Sequence, residues 1–267
     1  MKPSAIILDL LRTYSHRGTA VKNIMATGAM FDFSENVMRV NLSRLVAKGT
    51  VENFKRGHYR LTNRADPVNE FVEAWRLGEA RIRPWDGASW LLVHTPTADN
   101  PQRDWALDAM GFRPISDGLW ARPSNLTSDP DQVESRLTAL GLEPGAVIIR
   151  DAGLAEPWPT RWREQFDVAG LLARYEECRQ QLDDSLAHLD NLRHDEALKE
   201  SFRLGGAAVQ MLAKDPLLPE QWIDTRPRRE LWRRMLTYDQ KGREIWGRRG
   251  TDRPEIMPTP QHQVAVA

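Results

Sequence analysis

The stretch Glu35-Asn36-Val37-Met38-Arg39-Val40-Asn41-Leu42-Ser43-Arg44-Leu45-Val46-Ala47-Lys48 reads as one helix with two chemically different faces. At about 100° per residue, Met38, Leu42, Leu45 and Val46 share an arc that the spacing assigns to a core. Asn36, Arg39, Val40, Ser43 and Arg44 fall on the opposite arc. Their guanidinium and amide groups suit base edges, and the Ser43 hydroxyl suits a phosphate. A merely solvated face would more usually carry Glu/Lys pairs. Here the single acid, Glu35, sits in the first turn, where the helix dipole favours it. Ser34 stands where an N-cap is expected.

On the N-terminal side, Ile6, Ile7, Leu10, Leu11 and Tyr14 recur at helical spacing and predict a first helix over residues 4–14. A second carries Val21, Ile24, Met25 and Ala29, and Asp32-Phe33-Ser34 forms the turn before the third. Beyond Gly49, residues 50–54 and 58–62 read as strands flanking a tight basic turn, Lys55-Arg56-Gly57. Three helices and a basic hairpin are the order of a winged helix-turn-helix. Its third helix enters the major groove while the hairpin reaches an adjacent groove or phosphates. The DNA-contacting set expected from this is Ser34, Asn36, Arg39, Val40, Ser43, Arg44, Lys55, Arg56 and His58.

Charge supports the same division. The chain is neutral overall, but residues 1–64 hold 11 Lys and Arg against four acids, so this segment is +7 and the remaining 203 residues are −7. A basic unit joined to an acidic body fits a polyanion-binding module with a separate regulatory part. The composition, 41% hydrophobic and 28% charged over 267 residues, is that of a globular protein. One cysteine, Cys178, excludes an internal disulfide and fits a reducing compartment. No apolar run approaches the roughly 18 residues of a membrane helix, and Asp9 and Arg12 interrupt the apolar run near the start. A cytoplasmic protein is expected.

Residues 65–84 predict a linker helix, with Phe71, Val72, Trp75 and Leu77 along 68–80. Residues 85–155 alternate: strand 90–95, helix 102–110, strands 112–115 and 119–121, helix 131–140 and strand 146–150. That βαββαβ order predicts a ferredoxin-like domain. Residues 156–248 predict an α-helical effector and dimerisation domain. A six-turn helix carries Leu171, Leu172, Tyr175, Leu182, Leu186 and Leu189, and further helices span 196–213 and 228–238. Residues 249–267, rich in Pro, Thr and Gln, predict a disordered tail. The expected class is α+β and multidomain.

Taken together these pieces resemble the PaaX family of bacterial regulators, named for repression of phenylacetate catabolism. The resemblance rests on Val37 to Gly49 and Tyr59-Arg60-Leu61-Thr62 in the first segment. In the middle it rests on Gly111-Phe112 and Gly118-Leu119-Trp120-Ala121-Arg122-Pro123, and further on upon Asp215-Pro216-Leu217-Leu218-Pro219. It implies a dimeric repressor on a palindromic operator, a central domain like the CRISPR-associated ferredoxin-like endoribonuclease, and phenylacetyl-CoA or a related CoA thioester as inducer. The sequence departs from the family at Thr50, where an aromatic is usual, and at Thr225-Arg226-Pro227, where Trp-Pro-Gly is usual.

The sequence holds no phosphate-binding glycine loop, nucleophile elbow or CxxC pair. His188 and His194 are too far apart for a helical zinc pair. A nuclease using the central domain would want a carboxylate on its first strand, yet residues 90–95 have none, and Asp86 and Asp99 fall outside it. Neither an enzyme nor a metal site is expected. Cys178, between Tyr175 and Leu182, reads as a buried thiol. Most of the ten tryptophans read as core or interface residues. Arg226, Arg228, Arg229 and Arg233 could hold the phosphates of an effector, or could form a solvated helix face. The alternatives to a regulator are a winged-helix interaction module and a metal-dependent nuclease.

Overall fold

The computed structural model describes residues 2–14, 17–62, 66–96 and 99–247. The chain divides into two compact units, Met1–Arg64 with the residues from Arg243 onward, and Ala65–Gly242. Helix and strand are mixed in each. The tail expected over 249–267 lies outside the described residues.

In the first unit the order is α1 (Pro3–Thr13), β1 (Thr19–Ala20), α2 (Val21–Met30), α3 (Glu35–Ala47), β2 (Val51–Lys55) and β3 (His58–Leu61). The strands form an antiparallel sheet in the order β1-β3-β2. Ile6, Ile7, Leu10, Leu11, Ile24, Met38, Leu42 and Leu45 are buried together with Val51 and Leu61 from the sheet. Two expected core positions differ. Val46 is 37% exposed, because it lies beyond Leu42 at the rim of the apolar arc. Ala29 is exposed, and its neighbours Gly28 and Met30 are buried instead. Gly28 is needed there for room: a Cβ would run into the Met38 side chain. The two-residue β1 is too short to leave a sequence signal.

The second unit begins with α4 (Asp66–Glu73) and a 3-10 helix (Ala74–Arg81). The single linker helix expected over 68–80 is therefore broken. Gly78 adopts φ 52°, and a Cβ there would strike the Trp232 indole. Next come β4 (Ser89–His94), α5 (Pro101–Ala109), β5 (Arg113–Ser116), β6 (Leu119–Pro123), α6 (Pro130–Leu140) and β7 (Val147–Gly153). Their sheet has the order β5-β6-β4-β7, with every pair antiparallel. The short α7 (Trp158–Arg163), which periodicity does not reveal, leads into α8 (Val168–His188), α9 (His194–Ala213) and α10 (Arg226–Gly247). Helix α10 runs well past the expected end at Tyr238. Beyond that end Asp239 pairs with Arg76 and Lys241 with Asp190.

Four indoles join the sheet to the helices of this unit. Trp85, Trp90, Trp162 and Trp222 have ring centroids 4.6 to 5.9 Å apart, each such pair contributing about 0.5–1.5 kcal/mol beyond its burial. The Trp162 Nε1–H donates to the Ala121 carbonyl (2.6 Å), and the Trp85 Nε1–H to that of Ser89 (2.7 Å).

A buried polar network lies close by. Asp215 accepts from the Tyr175 hydroxyl (2.5 Å) and the Leu217 amide (2.7 Å), and faces Arg228 at 3.7 Å. Arg228 also grips Glu79 through Nε (3.0 Å) and Nη2 (3.2 Å). Asn125 donates to the Leu217 carbonyl (2.8 Å) and accepts from Arg122 (3.1 Å). At Gly111 a Cβ would lie 2.8 Å from the Pro216 carbonyl. The segments 111–112, 118–123 and 215–219, far apart in sequence, thus meet at one place.

Candidate nucleic-acid interface

Helix α3 is positioned by its start and its buried face. Ser34 Oγ accepts from the Val37 amide (3.3 Å) and so satisfies one of the helix's unpaired first-turn donors. Met38, Leu42 and Leu45 anchor the inner face. Asn36, Arg39, Val40, Ser43 and Arg44 are all exposed along the outer one. Arg39 and Arg44 flank it from opposite sides, with Asn36, Val40 and Ser43 between them. Val40, 42% exposed, offers an apolar surface of the kind that meets a thymine methyl. Val37, also exposed (38%), was not in the expected set; its exposure is legible only once the tilt of α3 on its neighbours is known.

The Arg39 guanidinium is not idle. Its Nε donates to Glu35 Oε1 at 2.8 Å, an exposed pair one helical turn apart. Such a pair is worth about 0.3–0.5 kcal/mol, whereas a bidentate arginine–guanine contact discriminates by about 1–3 kcal/mol. The pair orients Arg39 without committing it. Glu52 likewise engages Arg60 (2.6 Å), and Asp9 engages Arg12. Among the described residues no carboxylate pairs with Arg44, Lys55 or Arg56, all three exposed.

Lys55 ends β2 and pairs in register with His58, so Arg56 and Gly57 form the hairpin tip. The left-handed Gly57 (φ 72°) closes it, with a bulge between Asn53 and Lys55. His58 Nδ1 lies 3.1 Å from the Arg56 carbonyl, which ties the tip to its own strand. The tip therefore presents two cations from a fixed turn.

The four arginines expected to hold an effector, all on α10, differ in exposure. Arg228 is 3% exposed and held by Glu79 and Asp215. Arg226 is exposed and paired with Asp224 at 2.7 Å. Arg229 is half-buried and Arg233 exposed. Asp86 lies outside β4, as the sequence places it; its carboxylate accepts from the Ala88 and Ser89 amides and the Ser89 hydroxyl. Those bonds hold its pKa down, at about 2. Among the described residues no group of three or more His, Cys, Asp or Glu could hold a metal, and no helix is long and apolar enough to cross a membrane.

Comparison with known proteins follows the same division. Residues 2–65 match the family model described as PaaX-like protein. Over this segment the match supports the resemblance read from the sequence, to a family of transcriptional regulators. No curated protein matches the chain. Among solved structures, an uncharacterised protein of Mycobacterium tuberculosis is similar in fold, with a TM-score of 0.55 at 21% identity, over 91% of this chain and 97% of that one.

Proposed function

We propose that residues 1–64 form a winged helix-turn-helix that binds double-stranded operator DNA, with α3 in the major groove and Lys55 and Arg56 on phosphates. The observation that carries this reading is the exposed, acid-poor face of α3 beside an unpaired cationic hairpin tip. The order β5-β6-β4-β7 supports a ferredoxin-like reading of residues 85–155. The remainder, 65–84 as linker and 156–248 as helical domain, completes the expected division. In the finer reading the chain is a dimeric cytoplasmic repressor of a catabolic operon, released by a small effector such as an aryl-CoA thioester. Of the four arginines, the exposed Arg226 and Arg233 are the ones a CoA phosphate could reach.

Fluorescence polarisation of the full chain with its own upstream duplex and with random duplex tests this. Binding to both is expected at low salt, with the upstream duplex preferred as salt rises. No binding to either would leave an interaction module as the better reading. Lys55→Ala is expected to weaken binding to all duplexes alike and to lower the salt slope by about 0.9. An unchanged slope would take the hairpin off the DNA.

A further inference from the structure

Arg122, on β6, is 2% exposed, yet no carboxylate pairs with it among the described residues. Its guanidinium donates to the Met110 carbonyl, to Asn125 Oδ1 (3.1 Å) and, from Nε, to the Pro123 carbonyl (3.4 Å). All three acceptors are neutral, and they leave two of its five N–H groups unused. The other deeply buried arginines differ. Arg103 meets Glu143 at 2.9 Å and Asp104 at 2.8 Å, and Arg228 meets Glu79 at 3.0 Å. Burial, with the nearby Arg81 charge, pushes the Arg122 pKa down to about 9, so the group is still a cation at neutral pH. The charged group that acts on it is another cation, Arg81, and the carboxylates near Arg81 (Glu79, Asp215) are shared with Arg228. A buried cation without a counter-charge is costly.

The same residue lines a cavity of about 160 Å³. Arg83 and Ser124 also line it, while Leu91, Leu126 and Val133 provide apolar walls. Asp129 also lines it, but its Oδ1 accepts from the Gln132 amide as the cap of α6, and no ion pair joins it to Arg122. A cavity of roughly this size accommodates a benzene-sized body. It is far too small for a CoA thioester. The apolar walls disfavour inorganic phosphate or sulfate, which have no apolar part to place against them.

We propose that the cavity beside Arg122 is a binding site for a small organic monocarboxylate, whose carboxylate pairs with the Arg122 guanidinium and whose apolar body lies against Leu91, Leu126 and Val133. The ligand supplies the missing negative charge and fills the apolar end. This goes beyond the DNA-binding reading and does not depend on it.

The test measures thermal stabilisation of the full chain, without DNA, by straight-chain carboxylates from acetate to octanoate, each beside its primary amide. Stabilisation is expected to be saturable, to grow with chain length to about six carbons and then to fall. The amides should bind about tenfold more weakly or worse, since they lack the charge-assisted bonds. Arg122→Met should lose the response. Because that variant removes hydrogen bonds and could misfold, Leu126→Trp serves beside it: it keeps every charge, fills the cavity and should also lose the response. If no carboxylate stabilises the wild type, if amides match acids, or if a folded Arg122→Met or Leu126→Trp responds like wild type, the proposal is wrong.

Discussion

Three cations of α3 and the hairpin and two arginines of the second unit are alike in sequence and opposite in circumstance. Arg44, Lys55 and Arg56 stand exposed, with no carboxylate partner among the described residues. Arg103 and Arg228 are each 3% exposed and held by acids. An exposed guanidinium or ammonium keeps its charge available to a polyanion, and releasing counterions from the partner then drives binding. A desolvated one is costly unless a carboxylate neutralises it in place, and such a pair fixes the elements around it. On the proposed function, the difference separates recognition from scaffolding within one chain.

Asp215 is the acid on which the buried kind of cation depends most. Replacing it by alanine leaves Arg228 and the Tyr175 hydroxyl without their shared partner, so a loss of about 3–5 kcal/mol is expected in thermal or urea unfolding. Lys55→Ala, by contrast, should leave stability unchanged within about 0.5 kcal/mol. Equal effects at the two sites would erase the distinction.

Cys178 sharpens it from another side. Burial and the Glu177 charge push its thiol up to about 11. At neutral pH it should therefore react about tenfold or more slowly with a disulfide reagent than a free cysteine does. Labelling at the rate of free cysteine would mean that α8 is not closed over the thiol.

A smaller effect is expected at Ser34→Ala, which removes the cap of α3 and should cost about 1 kcal/mol. No change would mean that water caps the helix as well.

Local pattern carried much of the first unit. The inner and outer faces of α3 follow from its 3.6-residue period, except at Val46 and Val37, because coverage at a rim depends on how neighbours tilt. The second unit was less legible. That Arg228 is buried follows from Glu79, 149 residues earlier in the chain, and no periodicity encodes such a pairing. The break at Gly78 depends on Trp232, and the end of α10 on Arg76 and Asp190. Trp85, a central member of the indole cluster, sits in a segment with no regular pattern. Arg122 offered a family-like motif but no sign that its charge would go unmatched.

If the outer face of α3 reads bases, as proposed, Arg39→Ala should remove part of the sequence preference. Binding of wild type and variant to the chain's own upstream duplex and to random duplex, compared at one salt concentration, gives a preference ratio for each. Arg39→Ala is expected to retain binding to random duplex but to lose about five- to hundredfold of the preference, the equivalent of one bidentate base contact. A preference ratio equal to that of the wild type would contradict it.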